Sequence, residues 1–163
     1  MHFRRLLVAF LALTFSQLSM AEPDFYRIEL EIDIDKPAAD VWKKVGGYCD
    51  IGVWLDLPCE ITSGDGGMGT VRELRGGAVI EPMVALGELS YGYSQPVVEG
   101  VPYNFYHGYM EAQQVTETSS RIIYTVMWDR SHEDDASFNA NVERRTELFT
   151  RALQNMKEIA EGQ

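Results

Sequence analysis

The chain is poor in basic residues, and its surplus of acid limits the partners it can have. Lysine and arginine together number 14 against 25 aspartates and glutamates, which gives a formal net charge of -11 at pH 7. A protein this acidic is repelled by nucleic acid and by anionic lipid headgroups. We therefore expect no nucleic-acid partner. The excess of acidic side chains either keeps the chain soluble or complements a basic protein partner.

The chain also lacks the common catalytic motifs. No segment fits G-x-S-x-G, H-E-x-x-H or the phosphate-binding P-loop, so nucleophilic, zinc-protease and P-loop chemistry have no support. The acidic run 129–135, which contains His132, offers oxygen atoms to a cation but lacks the ordered ligand spacing of a calcium loop. The motifs therefore indicate neither a metal nor a cofactor.

Only one long apolar run is present, and it lies at the N-terminus. Arg4 and Arg5 precede the apolar segment 6–15, and 19–21 (Ser-Met-Ala) fits a small-x-small cleavage site. The run is too short for a membrane span of about 20 residues. No later run is longer, so we expect no stable membrane insertion. An uncleaved N-terminal anchor is the alternative to a cleaved signal.

We therefore predict that residues 1–21 are a signal peptide and that residues 22–163 form a single ligand-binding domain. Cleavage removes two arginines and no acid, which moves the formal charge from -11 to -13. The mature chain is long enough to bury one hydrophobic core. Its predicted location is periplasmic or secreted.

Cysteine is nearly absent. Cys49 and Cys59 are the only two, nine residues lie between them, and no C-x-x-C motif occurs. An exported pair in an oxidising compartment often forms a disulfide, and this loop is short enough to close. The alternative is two buried thiols. Redox catalysis is not expected from this spacing.

What the chain does have is a clear change of hydrophobic period from one end to the other. Apolar and charged residues alternate over 25–34, which is the period of a strand with one buried face. Apolar residues recur at helical spacing over 136–161, which predicts a long amphipathic helix. After the first strand, Asp35 and Pro37 predict the start of a short helix.

Short strands separated by glycine-rich turns fill the middle of the chain. They are predicted at 59–63, 69–75, 78–87, 89–98, 103–115 and 121–129. Consecutive strands joined by tight turns pair antiparallel, so the fold class is α+β: a curved seven-stranded antiparallel sheet closed by a C-terminal helix. One helix cannot cover the whole sheet, and the remaining hollow is either filled by side chains or open to a ligand.

Several segments resemble the helix-grip superfamily, which includes START lipid-transfer domains, birch-pollen-allergen-like proteins and bacterial polyketide cyclase/dehydrases. The matching segments are 35–42 (DKPAADVW), Trp54, 59–61 (CEI), 69–74 (GTVREL), Glu81, 91–94 (YGYS), and Asn104 with Tyr106 after Pro102. The resemblance covers nearly all of the chain after residue 21. It implies a helix-grip fold with two short helices after strand one.

The resemblance and the strand alternation together predict a cavity lining. In the family, the positions that resemble Glu81, Tyr93, Tyr106 and Gly108 line the cavity. The expected ligand-binding residues are Tyr91, Tyr93, Gln95, Asn104, Tyr106, Gly108, Met110, Phe138, Val142, Phe149 and Leu153. An aromatic lining with few polar groups suits a small, largely hydrophobic molecule. The alternative is that the tyrosines fill the core.

Glu81 is the candidate acid-base group, because burial in an apolar cavity raises a carboxyl pKa and allows proton transfer. The alternative is a water-bridged or salt-bridged carboxylate that orients a ligand. The leading prediction is nevertheless an exported binding protein or carrier for a small hydrophobic molecule. One alternative is a cyclase, dehydratase or isomerase acting on a polyketide-like or aromatic substrate. Another, implied by exported members of the superfamily, is an accessory protein of a periplasmic oxidoreductase.

Overall fold

A curved antiparallel sheet and one long C-terminal helix account for most of the residues that the structure describes. The computed structural model describes residues 22–98, 101–102 and 105–162. The predicted signal segment and Asn104 lie outside the described residues. The elements in chain order are β1 Phe25–Ile34, α1 Ala38–Val45, α2 Ile51–Trp54, β2 Cys59–Ser63, β3 Val71–Leu74, β4 Val79–Gly87, β5 Ser90–Ser94, β6 Val97–Val98, β7 Val101–Pro102, β8 Tyr106–Thr116, β9 Ser119–Asp129 and α3 Asp135–Glu161.

The main path of the sheet has the strand order β1-β9-β8-β5-β4-β3-β2, which confirms the predicted seven-stranded antiparallel sheet. Two short strands are additional, since β6 pairs with both β4 and β7. The predicted strand 89–98 is wrong as a continuous element, because it stops at Ser94. Pro96 follows two residues later and has no amide hydrogen to donate to a ladder. The next long strand begins at Tyr106 rather than at 103.

Strand β1 follows its predicted alternation. Ile28 and Ile34 are buried, whereas Arg27, Glu29 and Asp33 are exposed. The strand pairs with β9 along its whole length, and α3 packs over its apolar face. The period-two pattern thus fixes which side of the sheet carries the core.

Helix α1 begins differently from the prediction. Asp35 does not cap it; Pro37 is the N-cap residue and no side-chain cap bond forms from it. Instead, the amide of Ala38 donates to Oε1 of Gln114, which projects from β8 at a distance of 2.8 Å. A distant strand therefore satisfies one of the unpaired amides that every helix start presents.

The short helix α2 is tied to the sheet by a disulfide. Cys49 precedes the helix and Cys59 opens β2, and the structure joins them with a Cα–Cα distance of 5.6 Å. The predicted bridge is confirmed. It closes a small loop around α2, whose Ile51 and Trp54 are buried in the core.

Helix α3 spans nearly the predicted range. Asp134 is its N-cap and accepts a hydrogen bond from the amide of Ser137 at 2.8 Å. Gly162 ends it in the left-handed conformation, at φ 79°, which a residue without Cβ adopts at no steric cost. The buried face of the helix contacts β1, α1 and α2. That packing leaves a gap farther along the sheet.

Candidate ligand cavity

A cavity of about 160 Å³ lies between α3, α2 and the inner face of the sheet. Helix α2 and the residues after it supply Ile51, Leu55 and Leu57, and α3 supplies Leu148 and Phe149. The remaining lining residues come from the sheet and from the arginines of α3: Leu74, Arg75, Val79, Glu81, Tyr93, Gln95, Tyr106, Arg144 and Arg145. Most of this wall is apolar, with polar groups confined to a few positions.

A buried ion pair forms part of one wall of the cavity, and Glu81 is its member that lines the cavity. Arg72 and Glu81 are directly opposite each other in the β3–β4 register, and they are 0% and 2% exposed. Arg72 Nε donates to Glu81 Oε2 at 2.7 Å. Arg72 Nη2 lies 2.6 Å from the same oxygen, close enough for ion pairing but not oriented as a hydrogen bond. Gln95 Nε2 donates to the other carboxylate oxygen at 2.9 Å.

Each partner of this pair limits the titration of the other. Burial raises the pKa of Glu81, while the charge of Arg72 and the hydrogen bonds from Arg72 and Gln95 oppose that rise. Burial disfavours the charge on Arg72, but the field of Glu81, together with the fields of Tyr91, Tyr124 and Tyr93, outweighs burial and raises the guanidinium pKa. Both carboxylate oxygens of Glu81 already have donors, and the net effect of burial and these contacts is a raised pKa.

Aromatic rings enclose the guanidinium of Arg72. Its Cζ lies 4.3 Å from the ring centre of Tyr48, 4.9 Å from Tyr93 and 5.6 Å from Tyr91. Tyr48 also donates its hydroxyl to the backbone carbonyl of Glu81 at 2.9 Å. Burial raises the pKa of all three phenols, so they remain protonated donors at neutral pH.

Tyr93 occupies part of the hollow that the sheet creates. Its hydroxyl is 2.9 Å from that of Tyr124, whose ring stacks on Phe149 with centroids 4.6 Å apart. The ring of Tyr93 lies across Gly108, where an added Cβ would be 2.1 Å from its Cζ. The absence of a side chain at Gly108 thus makes room for the ring. The hollow is neither wholly empty nor wholly filled.

The described residues that the sequence predicts for the site, Glu81 as the acid-base group and the others as ligand-binding residues, separate into two groups in the structure. Those that line the cavity are Glu81, Tyr93, Gln95, Tyr106 and Phe149. Those placed elsewhere are Tyr91, Met110 and Leu153 in the buried core, Gly108 beneath the Tyr93 ring, and Phe138 and Val142 at the margin of the core. The role of either group in binding stays a prediction.

Sequence reasoning missed Arg72, the arginines of the cavity and the leucines after α2. Arg72 belongs to a matched motif segment, and its position opposite Glu81 would have been the signal. The three arginines offered no signal, since charged residues on a strand end or a helix usually face solvent. Leu55 and Leu57 lie in a short segment with no period, so nothing in the sequence directs them inward.

Other site types find little support in the described part of the chain. Within it, no group of three or more histidines, cysteines or acids is arranged to hold a metal ion. None of the described helices is long and apolar enough to cross a membrane. The turn 64–69 fits the letters of the dinucleotide-binding pattern G-x-G-x-x-G, but it joins the antiparallel strands β2 and β3 instead of a strand and a helix.

Comparison with known proteins gives the fold. No family model matches the chain, and no curated protein matches it. Solved structures match it over most of its length. A protein from Nitrosospira multiformis has a TM-score of 0.66 at 24% identity, covering 82% of this chain and 96% of its own. Ara h 8.0201 has a TM-score of 0.66 at 18% identity, covering 86% and 100%.

An aromatase/cyclase, Zhui from Streptomyces sp. R1128, has a TM-score of 0.66 at 16% identity, covering 85% of this chain and 94% of its own. These structural neighbours are helix-grip proteins of the START and birch-pollen-allergen-like type. The chain has the helix-grip fold, so the resemblance inferred from the sequence motifs is confirmed at the level of the fold. Identities this low carry no statement about activity.

Proposed function

We propose that the protein binds a small, largely hydrophobic molecule in the cavity beneath α3, as a carrier or binding protein outside the cytoplasm. The observation that supports this most is the combination of an apolar cavity with a carboxylate that is already fully paired. Shape and apolar contact are available to a ligand, whereas Glu81, the carboxylate among the described lining residues, already has a donor on each oxygen. The disulfide supports export, because such bridges persist mainly in oxidising compartments.

An enzyme of the cyclase, dehydratase or isomerase type is the second candidate. Glu81 favours it, because a buried carboxyl that lines a cavity and has a raised pKa is a common acid-base arrangement. For proton transfer, a substrate would have to displace Gln95 or weaken the contact with Arg72. Because a substrate would first have to break these contacts, we propose binding or transport as the first function and catalysis as the second.

A binding experiment tests the cavity itself. An environment-sensitive apolar dye should bind with a stoichiometry of about one dye molecule per protein chain. Phe149→Trp places a larger ring in the cavity wall and should weaken dye binding at least about tenfold. Phe25→Trp makes the same exchange at an exposed position of β1 outside the cavity and should leave the affinity unchanged. Equal binding by all three proteins would contradict the proposed site.

Native mass spectrometry of protein from its own host separates the candidate functions. A single co-purified apolar molecule supports a carrier. A related substrate and product found together support an enzyme. A co-purified protein, with no small molecule, would instead support the accessory role on an exported oxidoreductase.

A further inference from the structure

One polar side chain of the cavity wall carries an oxygen atom that the described part of the chain leaves unused. Gln95 lines the cavity and is half-buried. Its Nε2 donates to Glu81 Oε1 at 2.9 Å, and its backbone amide donates to the carbonyl of Tyr106 at 2.9 Å. Among the described residues, no donor makes a hydrogen bond to Gln95 Oε1. This oxygen is therefore available to a ligand.

The contact with Glu81 decides which way the amide of Gln95 faces. An ionised carboxylate oxygen accepts hydrogen bonds and donates none, so the amide has to present Nε2 to Glu81. The Arg72 guanidinium, with Nη2 2.6 Å from the other carboxylate oxygen, favours this ionised form. Nitrogen and oxygen lie on opposite sides of the amide carbon, which leaves Oε1 as the atom that Gln95 presents to the cavity.

The amide is also held in place before any ligand binds. Arg72 Nε donates to Glu81 Oε2 at 2.7 Å, and the hydroxyl of Tyr48 donates to the backbone carbonyl of Glu81 at 2.9 Å. Glu81 is thus fixed at both its side chain and its backbone, and it fixes Gln95 in turn. An acceptor that is already in position loses little entropy when a ligand binds, and it discriminates between a donor and another acceptor.

We propose that the ligand is a neutral, ring-sized molecule with a hydroxyl group, whose ring lies inside the cavity and whose hydroxyl donates to Gln95 Oε1. This inference rests on the proposed function of ligand binding and names the chemical class of the ligand. A ligand with only a carbonyl at that place would leave Gln95 Oε1 without a donor, which costs more than the hydrogen bond itself contributes. A hydroxyl fits better than an ammonium, because Arg72 already neutralises the nearby carboxylate and a buried cation would lack a counter-charge.

The volume of the cavity sets the size of the ligand. At about 160 Å³ it is smaller than the roughly 300–1,000 Å³ of sites for drug-sized molecules. It is close to the roughly 150 Å³ apolar cavity known to accept benzene. A single six-membered ring therefore fits, whereas a steroid or a long acyl chain does not fit the cavity as it stands.

The side chains around the rest of the cavity suit an apolar ring. The aliphatic lining residues are Ile51, Leu55, Leu57, Leu74, Val79 and Leu148. Phe149 adds an aromatic face, and its stacking on Tyr124, with centroids 4.6 Å apart, holds that face in place. The Tyr93 hydroxyl already lies 2.9 Å from the hydroxyl of Tyr124. A polar anchor at Gln95 in a mostly apolar wall is the arrangement that fixes the orientation of a small ligand.

NMR titration of the protein with three probes tests the inference. Cyclohexanol and cyclohexanone have the same heavy atoms, but the oxygen of the alcohol donates and that of the ketone only accepts. Dodecanol carries the hydroxyl on a long chain. We expect cyclohexanol to bind about threefold to tenfold tighter than cyclohexanone, the range that one neutral hydrogen bond supplies, and to bind tighter than dodecanol. Gln95→Met keeps the length of the side chain and should remove the preference for the alcohol. Gln154→Met breaks a similar amide–carboxylate bond, to Glu158 at an exposed position of α3 outside the cavity, and should retain the preference.

Each outcome decides between the two proposals. Equal affinity for the alcohol and the ketone, or a preference that survives in the Gln95→Met variant, overturns the hydroxyl contact and leaves the apolar cavity standing. If that variant fails to fold, the side-chain amide signals of Gln95 in the parent protein decide, because they should shift when cyclohexanol binds, and unchanged signals overturn the contact. Tightest binding of dodecanol overturns the ring-sized ligand. If no probe binds while the apolar dye does, this inference fails alone, and if the dye also fails to bind, the proposed function fails with it.

Discussion

Arg72 and Glu81 are charges placed where water cannot reach them, and each is tolerable because of the other. Removing a charged group from water costs several kcal/mol, and a partner at ion-pair distance offsets much of that cost. The three tyrosine rings around Arg72 add cation–π contacts. The first role of the pair is therefore structural, as a part of the cavity wall.

Removing one member of this pair should therefore cost more than removing both. Arg72→Met and Glu81→Leu should each lower the free energy of unfolding by about 3–5 kcal/mol, because each leaves an uncompensated buried charge. The double variant should lose clearly less than the sum of the two. Urea unfolding of all four proteins measures this coupling. Strict additivity would show that the two charges do not interact.

The resemblance to the helix-grip superfamily predicts one partner of this pair, Glu81, and the local sequence pattern predicts neither. In β4 the buried positions Val79, Glu81 and Met83 alternate with less buried ones, but the other face carries the apolar Ile80, Pro82 and Val84, so the local pattern does not show where Glu81 points. In β3 the four residues V-R-E-L put one charged and one apolar side chain on each face. No alternation then distinguishes inside from outside, and the burial of Arg72 becomes evident only from its pairing with Glu81.

At the scale of elements, the start of α3 depends on one aspartate. Asp134 accepts the amide of Ser137, and this backbone hydrogen bond lowers the pKa of the Asp134 carboxyl. A lowered pKa in the folded state means that the native protein holds the proton less tightly than the unfolded chain does. The contribution of the cap is therefore present above the unfolded pKa of about 4 and is lost as pH falls through the folded value.

The prediction for this cap concerns pH as well as stability. Asp134→Ala should destabilise the protein at pH 7, and the difference from the parent should shrink as pH falls below about 4. Urea unfolding midpoints at several pH values between 3 and 7 measure both effects. Asp135→Ala, one residue into the helix, removes an acid that makes no cap bond and should have the smaller effect. A difference that does not change with pH would contradict the cap.

The disulfide acts on the element that closes one side of the cavity. Helix α2 and the leucines after it lie inside the loop that Cys49 and Cys59 close. Replacing both cysteines by serine should lower the free energy of unfolding by about 2–3 kcal/mol under the loop-entropy account. Because the same loop carries part of the cavity wall, the variant should also bind the apolar dye more weakly while still folded. Unchanged dye affinity would show that the bridge serves stability alone.

For the whole molecule, the sequence predicts the fold well and the cavity poorly. Alternation in β1, the helical period of α3 and the matched motif segments all depend on local patterns, and these determine the elements and their order. The cavity volume depends instead on distant side chains that meet across the interior. Tyr93 fits over Gly108, and Phe149 stacks on Tyr124, so one ring position decides whether the hollow is open. No local pattern contains that information.

The last prediction concerns the mature protein as a whole. Export with cleavage after Ala21 should give a chain that starts at Glu22, as the basic start and small-x-small site predict. Because the compartment is oxidising, that chain should also lack the two thiol hydrogens of Cys49 and Cys59. Intact-mass measurement of protein from the native host reports both features at once. Ala21→Trp, which places a bulky side chain at the cleavage site, should instead accumulate the precursor. A full-length chain with two alkylatable thiols would contradict export, and with it the proposal that the ligand is bound outside the cytoplasm.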